Sequence, residues 1–117
     1  MRHRKAGKKL SREKSARRAL LRNLATDLVV KGEIMTTSAK GTVVSSYAEK
    51  LVTVAKSKPY LQAKSILQKK LFGKKAPLEL LRVYRKRYIE RSGGYTRILK
   101  MGRRSGDQAK QVKIIWV

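Results

Sequence analysis

The sequence predicts an α+β fold: a two-layer α/β domain in the order α-β-α-α-α-β-β, with a small mixed sheet covered by helices and a basic N-terminal arm. Three observations predict it. Apolar residues recur at three- and four-residue intervals through four segments up to about residue 91, as a helix face requires. Towards the C-terminus the pattern changes to two-residue alternation, the period of a strand. Glycines and prolines stand between these stretches, at Gly32, Pro59, Gly73, Pro77 and the pair Gly93-Gly94. No internal repeat or low-complexity linker interrupts the chain of 117 residues, which divides into an arm (residues 1–14) and one domain (residues 15–117).

The arm carries Arg2, His3, Arg4, Lys5, Lys8, Lys9 and Arg12, with almost nothing to bury. Such a segment is disordered alone and orders on a polyanion. His3 has no acidic or cysteine partner nearby, so it reads as a polar arm residue and not as a metal ligand or base. Residues 15–31 form the first helix, with Leu20, Leu24 and Leu28 in one stripe and Leu21 beside them. Lys14, Arg18 and Arg22 recur every fourth residue as a basic ridge on another face. A helix of that size is about 24 Å long, enough to follow several phosphates.

Glu33-Ile34-Met35-Thr36-Thr37 ends in β-branched residues and reads as a strand. A helix follows over 38–56, facing inward with Val44, Ala48, Leu51 and Ala55, although Gly41 to Val44 lower its propensity. Ala63, Leu67 and Leu71 predict a helix over 60–71. Pro77 fits the first turn of another, striped by Leu81, Tyr84 and Tyr88. Gly93-Gly94 should stop that helix and turn the chain into a strand over 95–101 carrying Arg97 and Lys100. Gly102 and Gly106 then bracket a loop that exposes Arg103 and Arg104 at its tip. Residues 108–117 pair back as a hairpin, with Val112, Ile114 and Trp116 on one face and Ile115 and Val117 on the other.

Charge decides the function class. Lys and Arg number 31 against 7 Asp and Glu, a formal net charge of +24 that repels itself unless something anionic neutralises it. No apolar run approaches the roughly 20 residues that span a bilayer, and no apolar segment follows the basic N-terminus as in a secretory signal. Without cysteine there is no disulfide, thiol nucleophile or Cys-ligated zinc. The seven acids are scattered without a helical carboxylate pair, and no phosphate-binding glycine loop or serine elbow is present, so no catalytic residue, metal, cofactor or small-molecule substrate is expected. Nucleic acid is the expected partner. The absence of known base-reading modules points to recognition by shape and charge, and folded RNA offers dense phosphate clefts. Arg97, Lys100, Arg103 and Arg104 would join the arm and ridge in contacting it. Tyr95, beside two glycines, would reach a base or ribose.

Four motifs stand in order along the chain: Met1-Arg2-His3-Arg4-Lys5-Ala6-Gly7-Lys8-Lys9-Leu10, Arg22-Asn23-Leu24-Ala25-Thr26-Asp27-Leu28, Thr36-Thr37 before a helix, and Ala48 to Lys56. The most specific stretch follows, Arg91-Ser92-Gly93-Gly94-Tyr95-Thr96-Arg97-Ile98-Leu99-Lys100-Met101-Gly102-Arg103-Arg104-Ser105-Gly106-Asp107. This succession gives the whole chain a resemblance to the bacterial-type large-subunit ribosomal protein L-seventeen family. It implies the same element order and a structural role bound to large-subunit 23S-type rRNA, near the outer end of the polypeptide exit tunnel. Neighbouring large-subunit ribosomal proteins would be its other partners, in a cytoplasmic or organellar ribosome. Gly41-Thr42-Val43-Val44-Ser45-Ser46 departs from the family's more basic, helix-prone stretch, and Ile114-Ile115-Trp116-Val117 lacks its usual glutamate. A histone-like DNA-binding protein shares the charge and size, but this chain has neither a dimerising apolar helix array nor a long basic β-ribbon.

Overall fold

Residues 13–117 are described by a computed structural model, so the arm cations from Arg2 to Arg12 lie outside the described residues. Helix α1 (Lys14–Lys31) opens one residue ahead of its expected start. It ends where the Gly32 N–H bonds the Leu28 carbonyl at 3.0 Å. Strand β1 (Glu33–Thr37), helix α2 (Ser38–Ser57) and helix α3 (Tyr60–Lys70) follow within a residue of their predicted bounds. The next helical rod begins as α4 (Lys75–Glu79), widens into a π-helical turn (Leu80–Tyr84), and resumes as α5 (Arg85–Arg87). The chain closes with β2 (Thr96–Arg103) and β3 (Lys110–Trp116).

The order α-β-α-α-α-β-β therefore holds, with two corrections. The sheet runs β1-β3-β2 and is antiparallel throughout, not mixed. β1 and β2 point the same way, but β3 lies between them, so no parallel pair forms. The fourth helical rod ends at Arg87, ahead of Gly93-Gly94. Tyr88 leaves helical geometry at φ −110° and ψ 16°, and its hydroxyl donates to the Val117 carbonyl at 2.6 Å.

Antiparallel pairing sets which side chains share a face. Ile34 and Ile98 both lie opposite Ile114, and Thr36 and Lys100 both lie opposite Val112. This face meets the helices: the Ser45 and Thr96 hydroxyls hydrogen-bond at 2.6 Å between α2 and β2. Along β3, Val112, Ile114 and Trp116 are buried, as two-residue alternation predicted. The other face carries Glu33, Met35, Arg97, Leu99, Lys113 and Ile115.

The core is aliphatic apart from one aromatic group that joins the two ends of the domain. Tyr84 and Trp116 rings lie 4.5 Å apart, and Tyr88 and Tyr95 rings 5.1 Å apart. Their polar tips serve backbone carbonyls. The Tyr84 hydroxyl donates to Val29 at 3.0 Å, serving a carbonyl in the last turn of α1, and Trp116 Nε1 donates at 3.0 Å to Leu28, which also accepts the Gly32 N–H. Burial raises the pKa of both the Tyr84 and Tyr88 hydroxyls, so they remain neutral donors.

Gly41 explains the weak helix signal at the start of α2. A Cβ on it would stand 2.5 Å from Val112 Cγ2, so the glycine is what lets α2 lie close on β3. The expected effect of Gly41→Ala is a net loss of stability. Helix propensity gains about 1 kcal/mol, but overpacking a buried β-branched neighbour costs about 1–3 kcal/mol. Chemical denaturation should show a lower midpoint for Gly41→Ala and recovery in Gly41→Ala/Val112→Ala. A more stable single variant would refute the close approach.

Candidate nucleic-acid interface

No charged side chain among the described residues is fully buried, so the charge lies at or near the surface. Only three ion pairs are present among them: Lys31–Asp27, Arg104–Asp107 and Lys113–Glu33. Most cations therefore have no carboxylate within reach. The described residues contain no group of acidic and histidine side chains able to hold a metal. None of their helices is long and apolar enough to cross a membrane.

The predicted contact residues separate into distinct places. Lys14 and Arg18 are exposed on α1, as the ridge requires. Arg22 turns inward instead. Its guanidinium lies 4.1 Å from the Phe72 ring centroid and donates to the Leu71 carbonyl at 3.3 Å, tying α1 to the segment after α3. Thr26 completes that tie by accepting the Phe72 N–H at 3.0 Å. Tyr95 also leaves the expected interface. It is 3% exposed, its hydroxyl donates to the Arg91 carbonyl at 3.0 Å, and Lys56 Nζ donates to it at 2.8 Å. Its ring packs on Tyr88 and is closed to a base, because the turn folds it inward.

The hairpin carries the remaining predicted cations, and its strand pairing divides them. Arg97 lies on the outer face opposite Ile115, whereas Lys100 lies on the helix-facing side opposite Val112. Next comes a β-bulge: Gly102 pairs with Gln111 and Met101 is left without a partner. Gly102 takes φ +92°, which glycine adopts without a Cβ clash. The extra residue shifts the alternation by one, so Arg103 falls opposite Lys110 on the same side as Lys100. Without the bulge Arg103 would face the opposite way. Gly102 thus sits within the strand, not at the start of the loop.

The turn spans Arg104 to Gln108, where Gln108 and not Gly106 takes positive φ, at 58°. Arg104 is held by Asp107, with Nε donating to Oδ1 at 2.9 Å and a second bond to Oδ2. It forms a clamp across the tip, with Asp107 acting as the charge-pair residue of the turn. Lys110, absent from the predicted contact residues, joins Lys100 and Arg103 on one side of the hairpin, and the turn length is the signal that places it across from Arg103.

A family model described as ribosomal protein L17 matches residues 20–117. The chain belongs to the ribosomal protein L17 family. It is 43% identical over 114 residues to the large ribosomal subunit protein bL17 of Gemmatimonas aurantiaca, covering 97% of this chain and 96% of that one. For the protein of that name from Coprothermobacter proteolyticus, the identity is 41% over 116 residues, with coverages of 99% and 98%. For that of Fervidobacterium nodosum it is 42% over 119 residues, covering 94% of each. These relatives are named as ribosomal proteins, not as enzymes. The Coprothermobacter match takes in nearly all of this chain, so likeness to L17 proteins reaches into the basic N-terminal segment.

The hairpin clamp of this L17-family chain has a pH signature. Hydrogen bonds from the Arg104 guanidinium and then from the Ala109 N–H lower the Asp107 carboxyl to about 2. A depressed carboxyl stabilises the clamp above its unfolded value of about 3.9, and that contribution is lost as pH falls through the folded value. Carboxyl NMR titration should place the Asp107 midpoint near 2 and move the Ala109 amide with it. A midpoint at the ordinary aspartate value would show that the clamp does not persist in solution.

Proposed function

We propose that this chain is a structural constituent of the large ribosomal subunit that binds and stabilises folded rRNA through phosphate contacts. The observation that carries the reading is a surface of cations with few carboxylates to pair with. The family membership and the large-subunit names of the relatives support it. Lys14, Arg18, Arg97, Lys100, Arg103 and Lys110 make phosphate contacts from the folded domain. Arg2, His3, Arg4, Lys5, Lys8, Lys9 and Arg12 enter the rRNA as a basic arm. Arg22 and Arg104 support the fold of these surfaces, and Tyr95 packs the core beneath them. Neighbouring ribosomal proteins are further partners, and exposed Met35, Leu99 and Met101 on or beside the sheet's outer face support such contacts. The ribosome is then its cellular place.

Phosphate neutralisation predicts a steep salt dependence. Each phosphate contacted should contribute roughly −0.7 to −0.9 to the slope of log affinity against log salt. Titration of a large-subunit rRNA fragment between low and physiological salt should give the slope of several contacts. Folded rRNA should also bind more tightly than duplex DNA of equal length. A flat slope would remove phosphate binding, and preference for duplex DNA would favour a histone-like role.

A further inference from the structure

Between the helix-facing side of the hairpin and the start of α2 lies a cleft of about 580 Å³. Ser38, Ile98, Lys100, Arg103, Lys110 and Val112 line it. Its cations are there by construction. Lys100 follows the strand alternation, Lys110 lies two residues before Val112 on the same face, and the bulge turns Arg103 to join them. No carboxylate lines the cleft. Arg103 donates one bond to the Gln108 carbonyl, at 3.3 Å, which leaves the rest of its fork free.

The cleft is not only cationic. Ile98 is 40% exposed beside it, and Val112 forms part of its wall. The aliphatic stem of a lysine such as Lys100 adds apolar surface while its charge stays in water. A volume of this size falls in the range of roughly 300–1,000 Å³ found for small-molecule sites, which combine apolar walls with a few placed polar groups. A phosphate alone would satisfy the cations and leave Ile98 in water. A nucleotide serves both kinds of surface, with its phosphate on the charged rim and its base against the wall.

We propose that this cleft receives one unstacked nucleotide of a bound RNA, with its phosphate on Lys100, Arg103 and Lys110 and its base against Ile98 and Val112. The inference rests on the RNA-binding reading above and adds a base-dependent contact to it. Single-stranded RNA is read in this way, by electrostatic attraction along the backbone and by base faces laid on side chains.

The test uses the full chain and two single-stranded RNA dodecamers, one intact and one abasic, which carry equal phosphates. The intact oligomer should bind about ten-fold more tightly, the gain from covering a small apolar area. Ile98→Ser, which removes the apolar wall at a half-exposed position without adding charge, should bring the intact oligomer's affinity down to that of the abasic one. Ile98→Val should retain most of the difference, which separates loss of the wall from loss of the fold. Equal affinity for both oligomers would overturn the proposal and leave the cleft to another occupant, such as an acidic peptide. A base effect that survives Ile98→Ser would overturn it too, by placing the base elsewhere. In both cases a steep salt slope would leave the phosphate-binding reading standing. Absence of salt-dependent binding would bring down both.

Discussion

The hydrogen bond from the Trp116 indole to the Leu28 carbonyl closes the domain, joining residues 88 positions apart. It brings the end of the last strand against the last turn of α1, and the Tyr84 hydroxyl supports it one carbonyl further on. Helix C-termini leave carbonyls without partners, and lysine or arginine often serves them. Here the buried Tyr84 hydroxyl serves Val29, and the Trp116 indole adds a second donor at the Leu28 carbonyl that Gly32 N–H already bonds. The last turn of α1 and the end of β3 are thus held together by neutral groups within an apolar cluster, which the cations need not enter. Arg22 comes nearest to it, half-buried with its guanidinium over the exposed Phe72 ring at the edge of the fold.

That division of labour links core to surface. Aliphatic contacts and hydrogen bonds hold the helices on the sheet, among them one from the Thr96 hydroxyl to the Glu49 carboxylate at 3.3 Å, while Lys14, Arg18, Arg97, Lys100 and Lys110 stay clear of carboxylates. On the hairpin the pairing controls where charge goes. One unpaired residue at Met101 turns Arg103 towards Lys100 and Lys110, so a local irregularity creates a cluster of three cations. The Arg104–Asp107 clamp holds the tip beyond it. A family of ribosomal proteins fits such a plan, in which the fold stores positive charge that it cannot neutralise itself.

The element order was legible because the apolar spacing changes period where the structure changes. Leu24 and Leu28, Ala48 and Leu51, and Leu81 and Tyr84 mark helix faces, and Val112, Ile114 and Trp116 mark a strand buried on one side. Long-range pairing was not legible. Nothing local shows that β3 enters between β1 and β2, so the antiparallel sheet had to be seen. Gly41 reads as a flaw in a helix until Val112 is placed 2.5 Å from its missing Cβ. The candidate site shows the same limit. Arg97, Lys100 and Arg103 stand out in sequence, but their division between two faces depends on the bulge. Tyr95 beside Gly93-Gly94 reads as exposed because glycines mark a turn, yet the turn folds its ring onto Tyr88. Asp107 stands near both Arg103 and Arg104 in sequence, and the geometry of the turn decides that it holds Arg104.

Apolar packing and hydrogen bonds hold the fold, and its unpaired positive charge opposes it. Screening by salt separates the two. From roughly 10 mM to roughly 150 mM sodium chloride the screening length falls from about 30 Å to about 8 Å, weakening repulsion between exposed cations. The thermal unfolding midpoint of the free protein, measured by circular dichroism across that range, should rise with salt. A midpoint that falls would contradict the account, because it would mean that ion pairs hold the domain together and that its cations are already in use.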